Sequence, residues 1–177
     1  KARAQADKLQ GGVVGTVMTN LAMEIALKER GIEFVRAKVG DRYVLEQLYQ
    51  RGWQVGGEAS GHILCMDKHN TGDGIISALQ VFAALGELGV DLNSVLSDWQ
   101  AYPQTMINVR INKGHAWQPA AEPVLKQVEQ ELGQQGRVVL RASGTEPVVR
   151  VMVEAKDASV AKASAEKIAA AIEASIH

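Results

Sequence analysis

The ten residues Arg141-Ala-Ser-Gly-Thr-Glu-Pro-Val-Val-Arg150 hold the densest anion-binding chemistry in this chain. A phosphate dianion calls for backbone N–H groups in a concave turn, small hydroxyl donors, and a guanidinium whose fork matches two of its oxygens. Ser143, Gly144 and Thr145 offer hydroxyls and a backbone open to close approach, and Pro147 stiffens the exit. Arg141 ends one strand-like run, and Arg150 lies two residues beyond Val148 on the same face of the next. A hairpin here aims both guanidinium groups at one anion. Residue types alone leave a second reading open, an ordinary hairpin with solvent-facing arginines, because Ser-Gly-Thr is common turn chemistry.

A second cluster, Gly57-Glu-Ala-Ser-Gly-His62, suits a sugar. A carboxylate accepts from vicinal hydroxyls in pairs, while a neighbouring hydroxyl donates or accepts. Glu58 and Ser60 are two apart, so an extended backbone projects them to one face. Gly56, Gly57 and Gly61 let the chain bend and approach a ligand. The competing reading makes Glu58 a solvated loop acid and His62 a hydrogen-bonded strand residue. Arg42 follows Gly40 and Asp41 at a strand-to-helix turn, where α/β units place ligand groups, and a helix cap is the competing role for Asp41.

Other chemistry-bearing residues carry less. Thr71-Gly-Asp-Gly74 reads as a cap and turn opening a helix, since one carboxylate does not make a hard-cation site. His62, His69, His115 and His177 lack metal-ligand spacing. Cys65 alternates with apolar neighbours, as a core residue does. Trp53, Trp99 and Trp117 are scattered and form no stacking platform.

The elements that position these residues alternate. Val13–Thr19 reads as a strand, Asn20 caps a helix running to Gly31, and Glu33–Val39 is a second strand. Asp41–Arg51 is a helix ending at Gly52, with Val44, Leu45 and Leu48 on one face. Strands over Gln54–Val55 and His62–Met66 flank the glycine-rich turn. Gly74–Glu87 is an amphipathic helix displaying Ile75, Ile76, Leu79, Phe82 and Ala83, closed by Gly89. After about Val90 the order changes. A short helix and connector occupy Asp91–Pro103, followed by a strand (Thr105–Ile111) and a helix (Ala121–Leu132) with Val124, Leu125, Val128 and Leu132 inward. Two strands (Arg137–Ala142, Val148–Glu154) and a final helix capped by Asp157, with Ala161, Ala165, Ile168 and Ile172 inward, complete the chain. The expected architecture is an α/β domain with a mixed sheet and flanking helices over residues 1–92, and a linker over 93–104. A smaller α+β domain over 105–177 then carries an antiparallel sheet covered by two helices.

Bulk properties bound the function. The chain has 177 residues, a net charge of −1 with both signs interspersed, and a single cysteine, so no internal disulfide forms. No apolar run approaches the roughly 18–20 residues that span a bilayer, and no signal-peptide pattern opens the chain. Neither a nucleic-acid surface nor a membrane partner is expected, and a reducing, cytoplasmic setting fits best. Lys1–Leu9 reads as a polar helix tail running straight into an apolar strand, as in a cut through a longer protein.

The string RASGTEPVVRVMVE (Arg141–Glu154) closely resembles the phosphate-binding loop of the α-D-phosphohexomutase superfamily. The resemblance continues, in family order, through VGDRYV (Val39–Val44), GGEASGH (Gly56–His62) and TGDGI (Thr71–Ile75). VGDRYV is typical of the glucosamine-phosphate branch, whereas Ala59 departs from the Asn or Gln that many of those enzymes carry. The resemblance implies that Ser143, Gly144, Thr145 and Arg150, with Arg141 at a matching basic position, hold the phosphate that is not being transferred. It implies sugar contacts from Glu58, Ser60, His62 and Arg42. It also implies a hexosamine phosphate substrate, a phosphoserine donor, a glucosamine 1,6-bisphosphate intermediate and Mg2+. The family's serine motif and aspartate-rich metal loop have no match here, so no catalytic or metal-binding residue is expected in this chain, which would be inactive without the N-terminal domains of the same protein. The alternatives are a relative acting on glucose or mannose phosphates, or a non-catalytic sugar-phosphate-binding module.

Overall fold

The structure, a computed structural model, describes residues 2–5, 8–97, 100–112, 114–144 and 146–176. Thr145, Trp99, His177 and Lys1, all singled out above, lie outside them. The chain divides into two compact units, Lys1–Gln100 and Ala101–His177.

The first unit runs α1 (Ala2–Gln5), β1 (Val13–Thr16), α2 (Leu21–Lys28), β2 (Phe34–Ala37), α3 (Asp41–Arg51), β3 (Val55–Gly57), β4 (Ile63–Cys65), α4 (Gly74–Leu88) and α5 (Leu92–Leu96). Its four-stranded sheet has the order β2-β1-β3-β4, with β1 parallel to β2 and β3, and β4 antiparallel to β3. Asn20 caps α2 by accepting from the Ala22 N–H. Helix α3 ends where Gly52 turns left-handed (φ 66°), and the Trp53 N–H reaches back to the Leu48 carbonyl. Val44 and Leu48 of α3 are fully buried against Val14, Ala37 and Leu64. Burial of side chains this size contributes about 1.5–3 kcal/mol each. A Cβ at Gly56 would lie 2.7 Å from Val44 Cγ1 and 3.0 Å from the Val14 carbonyl oxygen. That glycine therefore serves the approach of α3 to the sheet. Helix α4 departs from the sequence expectation. Ile75, Leu79 and Phe82 are exposed, and Ser77 is the helix's buried residue. Its hydroxyl donates to the Ile63 and Asp73 carbonyls. An apolar stripe at helical spacing marks a face that avoids water without saying which neighbour covers it.

The second unit runs β5 (Gln104–Arg110), α6 (Gln118–Leu132), a 3₁₀ turn (Gly133–Gln135), β6 (Gly136–Ala142), β7 (Val148–Ala155) and α7 (Ala158–Ala174). The three strands are antiparallel with β7 central, in the order β5-β7-β6. Alternate β7 residues, Val149, Val151, Val153 and Ala155, form the core with Val128 and Leu132 of α6 and Ala161, Ala165, Ile168 and Ile172 of α7. The opposite face carries cross-strand rows: Gln104, Glu154 and Arg137 in one, Asn108, Arg150 and Arg141 in another. Glu154 is fully buried and accepts from Arg137 Nε at 2.6 Å.

Candidate functional site

In the first unit the site grows from strand polarity. Strands β2 and β3 run parallel to β1 and flank it, so the turns leaving their carboxyl ends lie along one edge of the sheet. One turn carries Gly40, Asp41 and Arg42, and the other Glu58 to His62. Glu58 joins them. Its Oε1 accepts from the Gly40 N–H at 2.7 Å, and its side chain is only 8 % exposed. Gly40 holds φ 126°, a conformation that L side chains rarely adopt. The second carboxylate oxygen lies 3.5 Å from His62 Nδ1, and that nitrogen is 3.1 Å from Ser60 Oγ. Glu58, Ser60 and His62 thus form one connected polar group, with Ser60 and His62 exposed. The loop closes on itself through the Glu58 N–H to the His62 carbonyl, and Gly61 takes φ 100°.

Arg42 stands next to this group without joining it. Its guanidinium stacks 4.8 Å above the Tyr43 ring, and its backbone N–H donates to the Asp41 carboxylate. Gly40 is the residue flanking the helix, so Asp41 is the first residue of α3 and not its cap. A cavity of about 330 Å³ adjoins Glu58 and Ala59, lined by Gly15, Asn20, Met23 and Phe34 among others. Sequence reading missed Gly40 as the partner of Glu58.

In the second unit the Ser143 N–H donates to the Val148 carbonyl, closing the hairpin between β6 and β7. Ser143 Oγ accepts from the Glu146 N–H at 3.3 Å. Gly144 has open space where a side chain would stand. Arg141 and Arg150 are directly paired across β6 and β7, so the two guanidinium groups share one face. Like charges placed opposite each other repel, which makes an anion between them favourable. The Glu146 carboxylate sits 3.7 Å from Arg150 Nη2. Among the described residues, Arg150 Nε is the one buried side-chain nitrogen or oxygen without a hydrogen-bond partner.

The remaining candidates are structural. Asp73 caps α4, accepting from the Ile75 and Ile76 N–H groups. Chiefly the Ile76 N–H holds its carboxyl below the ordinary aspartate range, with Ile75 and the nearby His69 assisting. Cys65 is buried, and burial raises its thiol against the opposing pull of Arg3. Among the described residues no three His, Cys, Asp or Glu side chains come together to hold a metal. No helix among them is long and apolar enough to cross a membrane.

The first unit thus carries polar turns at the carboxyl edge of its sheet, and the second carries a basic hairpin. Comparison with known proteins gives the family. Residues 1–102 match the family model described as phosphoglucomutase/phosphomannomutase, alpha/beta/alpha domain III, and residues 106–171 match the model of the C-terminal domain of the same family. The chain belongs to the phosphoglucomutase/phosphomannomutase family. It is 74 % identical over 172 residues to the phosphoglucosamine mutase of Neisseria subflava, covering 97 % of this chain and 39 % of that protein. With the phosphoglucosamine mutase of Chromobacterium violaceum it shares 64 % identity over 173 residues, 98 % of this chain and 39 % of the relative. The chain thus spans about two fifths of the length of these relatives. The fold matches that of Aspergillus fumigatus N-acetylphosphoglucosamine mutase with a TM-score of 0.82 at 22 % identity, over 99 % of this chain and 41 % of that one.

Proposed function

We propose that this chain is the sugar- and phosphate-holding part of a phosphoglucosamine mutase, which interconverts glucosamine 6-phosphate and glucosamine 1-phosphate. The observation that carries the reading is the 74 % identity to a phosphoglucosamine mutase over 172 residues. In the whole enzyme a phosphoserine donates its phosphoryl group to the free sugar hydroxyl, giving glucosamine 1,6-bisphosphate. The sugar turns round, and the other phosphate returns to the serine. In both half-reactions one phosphate rests while the other moves, so a single cradle serves either isomer. Ser143, Gly144, Thr145 and Arg150, with Arg141 beside them, form that cradle. The paired guanidiniums supply the charge and the forked donors that a phosphate dianion calls for. Glu58, Ser60 and His62 meet the sugar hydroxyls, and Arg42 flanks them.

The serine and the magnesium site belong to preceding domains of the same protein. The Aspergillus fumigatus N-acetylphosphoglucosamine mutase has been solved with GlcNAc-6P and magnesium, which supports magnesium as a cofactor of the whole enzyme. The enzyme works in the cytoplasm, supplying amino sugar for the cell wall. The test compares kcat/KM of the full-length protein on the 6-phosphates of glucosamine, glucose and mannose. A clear preference for glucosamine supports the reading, and equal or better use of glucose or mannose overturns the specificity. Turnover by the 177-residue chain alone would overturn the division of labour.

A further inference from the structure

We propose that Asn108 is a positioning residue for the resting phosphate: its side-chain oxygen accepts from Arg150 Nε and so turns the outer guanidinium nitrogens toward the anion. The inference rests on the phosphate-holding reading of the Arg141–Arg150 turn. Its starting point is Arg150 Nε, a buried donor without an acceptor. Leaving such a donor unpaired is unfavourable, so a partner within reach is taken up when the side chain settles on its ligand. The positions directly opposite Arg150 are Asn108 on β5 and Arg141 on β6. Opposed side chains stand roughly 4.5–5.5 Å apart at Cβ, and an arginine has no acceptor. Asn108 does. The diagonal neighbour Ser143 is already engaged by the Glu146 N–H, and the Glu146 carboxylate approaches the outer nitrogen Nη2, not Nε.

Asn108 is free to take this role. It is exposed and borders a hollow of about 690 Å³ with Arg110, Asn112 and Pro147, so its amide has room to turn. A guanidinium has five N–H donors in a fixed fork. Fixing Nε from the β5 side leaves the paired Nη groups to meet two phosphate oxygens in the bidentate geometry that makes arginine selective for such anions.

A double-mutant cycle in the full-length enzyme tests the inference through Asn108→Leu, Arg150→Ala and the double variant. Asn108→Leu keeps the side-chain shape and removes the acceptor. It is expected to raise KM for both phosphoisomers roughly fivefold to tenfold, with kcat within about twofold. In the Arg150→Ala background the same change is expected to add nothing, because Asn108 acts through that guanidinium. Asn108→Ser, too short to reach Nε, is expected to repeat the pattern without introducing an apolar side chain. An unchanged KM in both single Asn108 variants, or an equal rise in KM with Arg150 already removed, overturns the proposal. If Arg150→Ala alone leaves KM unchanged, the reading of the turn itself fails, which is a different result from silent Asn108 variants beside a damaged Arg150→Ala enzyme.

Discussion

Glu58→Ala should loosen the strand-to-helix turn at Gly40, more than 15 residues away in sequence. The Glu58 carboxylate accepts from the Gly40 N–H at 2.7 Å and is nearly buried. A hydrogen bond to a charged group contributes about 1.5–3 kcal/mol, and a neutral one about 0.5–1.5 kcal/mol. At 1.36 kcal/mol per decade, removing the carboxylate should speed local opening at Gly40 by roughly 10-fold to 150-fold. Glu58→Gln keeps an oxygen acceptor and should lose only about the difference between the two classes, roughly 5-fold to 10-fold. Amide hydrogen exchange of the peptide around Gly40, measured by mass spectrometry on the full-length protein, reads this opening directly. On the proposed sugar-holding role of the Glu58 turn, both variants should also disturb discrimination among hexose phosphates, because both remove its negative charge. Wild-type exchange at Gly40 in Glu58→Ala would refute the coupling of the two turns. Wild-type sugar preference in both variants would remove Glu58 from substrate recognition while leaving the coupling intact.

Two further predictions concern the second unit. Arg137→Met leaves the Glu154 carboxylate, 1 % exposed, without the guanidinium that donates at 2.6 Å. The expected loss is about 3–5 kcal/mol by chemical denaturation, largely recovered in Arg137→Met with Glu154→Leu, and a loss below about 1 kcal/mol would contradict it. Asp157 caps α7, and the Ser159 hydroxyl, together with the Ser159 and Val160 N–H groups, holds its carboxyl below the ordinary value of 3.8. A depressed folded-state pKa gives stability that is complete above the ordinary value and lost as pH falls through the lower folded one. Asp157→Asn should therefore show a shallower loss of stability than wild type below about pH 4, and parallel acid limbs would contradict the assignment.

The sequence and the structure agree best where local signals act alone. Gly40 and Gly52 bracket α3 at the expected residues, Asp41–Arg51. The four apolar residues read onto one face of α7 are all buried. Strand ends were less legible. The run Val13–Thr19 stops being strand at Thr16, because the Thr16 N–H donates to Thr19 Oγ1 and the Thr19 N–H to the Thr16 carbonyl, folding the chain into a turn. Composition cannot reveal that exchange of partners. The α4 stripe shows the same limit, since periodicity identifies an apolar face but not its neighbour. In the site, Glu58, Ser60 and His62 were legible as a group because they share one turn. The bond from Gly40 to Glu58 was not, since it depends on two parallel strands flanking a third. Asn108 was invisible for a similar reason. Its place beside Arg150 follows from β7 being the central strand, a fact of long-range pairing.

The most direct test of the account is the kinetics of Arg150→Ala in the full-length enzyme, measured from glucosamine 6-phosphate and from glucosamine 1-phosphate. On the proposed reading, either isomer leaves its resting phosphate in the Arg141–Arg150 turn, so losing a charge-assisted contact worth about 1.5–3 kcal/mol should raise KM in both directions, by roughly 10-fold to 150-fold. A KM equal to wild type in both directions would contradict the claim that this turn holds the phosphate.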